Sequence, residues 1–139
     1  MKIKLIDFGI KDSGLLGSRA HYNDAGFDVL AQESFDIKPG ETKKVPLGFG
    51  IEIPDGYAGW IFPKSGLSSN RGLVTELSPI DSGYRGCIHA ILHNQGNETQ
   101  CINKGEKIGQ LVIIPIVLPE FVFDLQNDRG EQGFGSTGV

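Results

Sequence analysis

Asp81 is the first residue in this chain that stands where chemistry could be done. It lies in "PIDSGYRG" (residues 79–86), with Tyr84 and Arg85 close behind and the apolar-rich "CIHAILHN" following. Asp-Ser-Gly is ordinary turn chemistry, because Asp bonds nearby backbone and Gly relieves the bend. The same bend could hold a carboxylate at the mouth of a pocket, with a tyrosine as its wall. These eight residues leave both readings open.

Two further segments bear groups suited to phosphate. "FPKSGLSSNRG" (62–72) brings Lys64, Ser65 and Arg71 together with glycines. Such a segment can cradle an anion with backbone N–H groups, and it can equally be a polar loop. The C-terminal "RGEQGFGSTGV" (129–139) has too many glycines to pack a core of its own. Its arginine could fork onto a phosphate, and Phe134 could stack on a flat base for ~1–3 kcal/mol. A solvated tail is the plain alternative. Together, two such segments around an Asp-Tyr turn make a phosphate-ester site more credible than either does alone.

Other chemistries are weaker. His89 and His93 are four apart, which on a strand separates them by roughly 13 Å, too far to share a metal. No C-x-x-C or H-E-x-x-H pattern exists. A magnesium ion carried in by a phosphate substrate would leave no such signature. No serine sits in a G-x-S-x-G elbow. Cys87 and Cys101 flank the turn-like "NQGN", and a hairpin there would set Cys87 opposite Lys104 and Cys101 opposite Ala90. That is out of register by about three residues, roughly 10 Å, so free thiols are expected.

The elements that must position these groups read as β throughout. "IKLIDF", "FDVLA", "SFDI", the longer "TKKVPLGFGIEI", "AGWIFP", "LVTEL", "CIHAILHN", "TQCINK" and "KIGQLVIIPIVL" are candidate strands separated by Gly/Pro turns. Strands at 8–12-residue spacing predict a sandwich or barrel. No stretch of ten residues has helical periodicity with caps; "LLGSRAHYND" could hold one turn. In "CIHAILHN", Ile88, Ala90 and Leu92 share one apolar face. "QLVIIPIVL" is apolar on both faces, which fits a subunit interface or a central core strand.

With 139 residues, the chain is most simply one domain, able to bury roughly two-thirds of its unfolded surface. Thirteen basic against seventeen acidic residues and no basic run argue against non-specific nucleic-acid binding. No apolar stretch reaches the ~20 residues of a membrane span. The N-terminus lacks a signal-peptide pattern, so a cytoplasmic location is the default expectation.

Five segments in order carry a resemblance. "AGFDVLA" (25–31), "PKSGLSS" (63–69), "IDSGYRG" (80–86), "GEKIGQLVI" (105–113) and "RGEQGFGSTG" (129–138) resemble the five motifs of the trimeric dUTPases. The resemblance implies an all-β, distorted jelly-roll (β-clip) subunit in a homotrimer. Residues 1–128 would form one β-domain and 129–139 an arm completing a site shared between subunits. The implied reaction is hydrolysis of dUTP to dUMP and pyrophosphate, with Mg²⁺ on the triphosphate. Asp81 would be the general base on the attacking water, and Tyr84 would stack on the deoxyribose and leave no room for a 2′-hydroxyl. The backbone at Cys87, Ile88 and His89 would read the uracil edge.

Lys64, Ser65 and Gly66 would hold phosphates from a neighbouring subunit, Gln110 would sit near the α-phosphate, and Asp28 would lie behind the metal through water. Arg129, Phe134, Gly135, Ser136 and Thr137 would close over the nucleotide.

The chain departs from the family pattern twice. The second motif opens with Lys64 in place of arginine, which keeps the charge but loses the bidentate fork. Ser78 and Pro79 replace a glycine and an aliphatic residue before Ile80. The sister dCTP deaminases would need a glutamate where this chain has Ile91, and an apolar side chain cannot shuttle a proton. A reading from another class is a nucleotide-sensing module that binds a regulatory protein partner.

Overall fold

The computed structural model describes residues 1–124. Short apolar runs punctuated by Gly and Pro become ten strands and two short helices. In chain order these are β1 (Leu5–Asp7), α1 (Ile10–Ser13), β2 (Phe27–Leu30), β3 (Phe35–Ile37), β4 (Thr42–Pro46) and β5 (Phe49–Ile51). There follow β6 (Tyr57–Phe62), α2 (Ser65–Arg71), β7 (Leu73–Thr75), β8 (His89–Asn94), β9 (Gln100–Ile102) and β10 (Lys107–Pro115).

Every pairing is antiparallel, in four small sheets: β1–β5, β2–β10–β6, β3–β9 and β4–β8–β7. Their inner faces meet in one core that includes Val29, Ile37, Leu47, Phe49, Leu73, Leu92, Ile102 and Ile108, all almost wholly buried. β8 shows the period-two logic most plainly. Ala90, Leu92 and Asn94 are buried while His89, Ile91 and His93 are half-buried. Among the described residues no helix is long and apolar enough to cross a membrane.

Three local readings of the sequence differ from the structure. "TKKVPLGFGIEI" is two strands, because Gly48 takes a positive φ of 79° between them. There Leu47 N–H donates to the Ile88 carbonyl (2.9 Å) while Ile88 N–H donates to Phe49 O (2.8 Å). Three residues of one chain thus oppose Ile88, and the ladder bulges. The polar "KSGLSSNRG" is mostly the helix α2. It has no buried side chain, so periodicity could not announce it. Its end is tied down by Arg71, which donates to Gln100 Oε1 (2.8 Å), Glu106 Oε2 (2.9 Å) and the Cys101 carbonyl (2.7 Å). Finally, "NQGN" does not close a β8–β9 hairpin: β8 lies between β4 and β7, and β9 pairs with β3. Buried Asn94 turns the chain away by donating to the Ile37 and Glu98 carbonyls (2.9 and 2.8 Å). Cys87 and Cys101 are both free.

The two-faced "QLVIIPIVL" supplies most of β10, the central strand of its sheet, with Leu111 buried and Val112, Ile113 and Ile114 half-buried. Ile113 packs on the core. Val112 and Ile114 instead line a broad depression with Phe62, Pro63, Ser65, Ser68 and Gln110.

Candidate active site

Asp81 opens a four-residue turn in which Tyr84 N–H donates to the Asp81 carbonyl (3.1 Å). Ile80 just before it is anchored to β6 by two bonds with Gly59 (3.0 and 2.7 Å). Ser82 Oγ donates to Asp55 Oδ1 (3.2 Å), and Arg85 bonds the Ser82 carbonyl, so the turn is braced at both shoulders. The Asp81 residue is exposed, and its carboxylate has no hydrogen bond or ion pair among the described residues. Turn and acid are one object.

A pocket of about 220 Å³ lies beside it, lined by Lys44, Ser78, Pro79, Ile80, Asp81, Tyr84, Cys87, Ile88 and His89. Tyr84 folds back so that its hydroxyl donates to the Cys87 carbonyl (2.8 Å). Gly86 permits this: a Cβ there would sit 2.4 Å from the Tyr84 hydroxyl. His89 Nδ1 lies 3.0 Å from the same carbonyl.

The backbone polarity of this wall follows from peptide geometry. There is no cis peptide bond among the described residues, so the N–H and C=O of each peptide unit point opposite ways. The Ile88 carbonyl takes the Leu47 N–H, so His89 N–H points away from β4. Along an antiparallel strand the N–H and C=O of alternate residues share an edge. Ile91 O accepts from Glu76 N–H (2.8 Å) on that outer edge. β7 ends at Thr75, so farther along the same edge the His89 N–H and C=O look out beside Ser78 and Pro79. Ile88 lines the pocket, but its own N–H and C=O are committed to Phe49 and Leu47. Base reading there would fall to its neighbour.

The other expected residues gather elsewhere. Lys64 Nζ donates to Asp28 Oδ1 (2.8 Å), and Lys107 Nζ lies 3.3 Å from Asp28 Oδ2. Gln110 pairs with both Asp28 and Phe62 across the sheet, and its Nε2 donates to the Pro63 carbonyl (3.0 Å). Ser65 and Gly66 open α2 just beyond Lys64, where first-turn N–H groups lack helical partners. Asp81, opposite the Ala58 end of β6, is two strand spacings across and about four residues along from Gln110. That is roughly 10 Å by 13 Å. Within one chain the two groups do not converge. Arg129, Phe134, Gly135, Ser136 and Thr137 lie outside the described residues.

Burial by itself would raise the pKa of Asp28, but the hydrogen bonds and charges of Lys64 and then Lys107 outweigh it. They hold the carboxyl below its ordinary value. A depressed carboxylate stabilises the fold above its unfolded pKa, and that contribution is lost as pH falls through the folded value. Asp28→Asn is therefore expected to flatten the fall in stability below about pH 4. Denaturation midpoints across pH check this, and an unchanged slope would refute it.

No cluster of three or more His, Cys, Asp or Glu suited to a metal exists among the described residues. Both oxygens of Asp28 face lysines, so the donor set does not make a protein-only cage. It suits a hard cation that keeps its waters and is bound chiefly by phosphate oxygens.

Two residues here carried no sequence signal. Lys44 lines the Asp81 pocket from a strand 37 positions upstream, which only the β4–β8 pairing brings near. Lys107 sits within a quoted motif, yet its spacing says nothing of Asp28.

The all-β fold thus carries an uncommitted carboxylate at a pocket of about 220 Å³ and, apart from it, two lysines on Asp28 near a helix start, groups suited to a phosphate ester. A family model for dUTPase matches residues 15–138. The deoxyuridine 5′-triphosphate nucleotidohydrolase of Clostridium tetani is 41% identical, over 99% of this chain and 96% of that protein. The Haemophilus influenzae protein of that name is 42% identical over 98% and 95%. Among solved structures, a mutant Staphylococcus bacteriophage 80alpha dUTPase with dUpNHpp is 29% identical, covers 99% of both chains and has a TM-score of 0.82. A mutant dUTPase from phage phi11 of S. aureus, described for its coordination of a structural Mg(II) ion, is 26% identical, with a TM-score of 0.84 over 92% and 99%. The chain belongs to the dUTPase family of dUTP diphosphatases.

Proposed function

We propose that this chain hydrolyses dUTP to dUMP and pyrophosphate, in sites that each combine the Asp81 pocket of one subunit with the Lys64 region of another. The observation that carries this is the pocket itself: a free carboxylate and a folded-back tyrosine face the His89 N–H and C=O. A donor beside an acceptor matches the O4 and N3–H of uracil, whereas cytosine presents an amino group and a bare N3. Asp81 orients and deprotonates a water, and Tyr84 packs on the sugar.

Lys64, Ser65 and Gly66 neutralise phosphates, with Gln110 near the reacting phosphorus. Lys64 leaves or shares its Asp28 partner to do so, and Lys107 keeps that carboxylate compensated. Mg²⁺ bound to the triphosphate would spread its negative charge. Residues 129–139 act as the closing arm over the domain of residues 1–128, with Phe134 on the base and Arg129, Gly135, Ser136 and Thr137 on phosphates. Limiting uracil in DNA and supplying dUMP follow from that reaction.

A homotrimer of jelly-roll subunits is supported by two features. The half-sites are too far apart to meet in one chain. In addition, Val117, Leu118, Phe121, Val122 and Phe123 stand 74–96% exposed, an apolar strip that a soluble monomer rarely leaves open.

Subunit complementation tests the shared site. Asp81→Asn and Lys64→Ala chains, each impaired alone, are mixed by co-refolding. About a quarter of the sites in random mixed trimers would then hold both native residues. Activity should rise accordingly, and no recovery in verified mixed trimers would refute sharing.

A further inference from the structure

We propose that the His89 imidazole is a specificity-determining positioning residue, whose Nδ1–H joins the Tyr84 hydroxyl in saturating the Cys87 carbonyl on the base-reading edge. The proposal rests on the uracil-reading role of that edge.

The Cys87 carbonyl belongs to the peptide unit whose other end, Ile88 N–H, donates to Phe49 O (2.8 Å). Being trans, that unit must turn its oxygen the opposite way, toward the edge where His89 N–H looks out. An oxygen there would be a third polar group beside the base. Left open, it would attract the 4-amino group of a cytosine and repel the O4 of a uracil. A carbonyl has two lone pairs, and here two donors approach it: Tyr84 OH at 2.8 Å and His89 Nδ1 at 3.0 Å. Because a carbonyl can only accept, Nδ1 must carry the proton. The imidazole thus blocks an acceptor that would favour the wrong base, and it stiffens the wall of the pocket. Neither part is visible in the residue's position on β8, which only makes it half-buried.

The test compares kcat/KM for dCTP and dUTP in the full chain. His89→Ala opens one lone pair and should raise the dCTP:dUTP ratio about tenfold, the scale of one net hydrogen bond. His89→Asn, whose amide can donate to the same oxygen, should bring the ratio back toward wild type. An unchanged ratio in His89→Ala, or equal ratios in the two variants, overturns the proposal while leaving dUTP hydrolysis standing. A wild-type chain with no dUTP turnover overturns the parent reading and this one with it. Heteronuclear NMR of the wild-type imidazole is independent of how the variants fold. It should find the proton on Nδ1, and an Nε2–H tautomer refutes the bond.

Discussion

Replacing Asp81 with asparagine is expected to leave dUTP bound and to remove most of its turnover. A positioned general base contributes about 10²–10⁴-fold, and asparagine cannot accept the proton. The substitution is close to isosteric and leaves the surroundings alone. The turn is closed by backbone, from Tyr84 N–H to the Asp81 carbonyl, and asparagine is itself a favoured turn residue. The braces at Ser82 and Arg85 do not involve the Asp81 carboxylate. What changes is therefore the acid group and nothing that shapes the pocket. Loss of kcat with dUTP affinity near wild type is the expected signature, because an interaction used only in the transition state lowers the rate without weakening the ground state. Pyrophosphate release and equilibrium binding of a non-hydrolysable dUTP analogue measure the two halves. Near-wild-type kcat would remove Asp81 as the base.

That prediction concerns a residue the sequence had already singled out, and the reason it was legible is chemical. The Asp-Ser-Gly turn alone left both readings open; phosphate-suited segments on either side and ordered motifs around it narrowed the alternatives. β8 was legible for a similar reason: strict alternation makes Ala90 and Leu92 core residues whatever they pair with. Partners were not legible. Nothing in "NQGN" says that β8 lies between β4 and β7, since alternation fixes a face and not a neighbour. The helix α2 escaped because its sequence has no apolar stripe; Arg71 holds it from a distance. Nor does a sequence show that Lys64 and Lys107 converge on Asp28, or that the Ile88 backbone is consumed by a bulge at Gly48. Such facts depend on residues far apart in the chain meeting in three dimensions, and they are where the site acquires its polarity.

Against the four competing nucleotides the chain is expected to be steeply selective, for three different physical reasons. With dCTP, the His89 N–H would face an amino group and the His89 C=O a bare ring nitrogen. Both backbone groups would be left unpaired, a mismatch of the kind worth ~10⁴–10⁵ in kcat/KM. With dTTP the hydrogen-bonding edge is identical and only a methyl group is added, so rejection must come from a wall that cannot yield. Cys87 and Ile88 are tied at Tyr84, Phe49 and Leu47, which gives that stiffness. With UTP the extra 2′-hydroxyl would meet the ring of Tyr84, whose hydroxyl is turned back onto the Cys87 carbonyl. Tyr84→Phe keeps the ring and should keep most of the sugar selectivity. Tyr84→Ala opens the space and should raise UTP turnover relative to dUTP far more. With dATP the His89 N–H would face the 6-amino group and the His89 C=O the bare N1, the same mismatch as with dCTP. Pyrophosphate release across these substrates reads all three terms in one experiment. Equal turnover of UTP and dUTP by the native chain would refute the role of Tyr84. Rapid dCTP hydrolysis would refute the backbone edge at His89. Because the edge and the tyrosine meet at one carbonyl, Tyr84→Ala should also loosen base selectivity, and Tyr84→Phe, which removes only the hydroxyl, should do so while leaving the sugar test nearly intact.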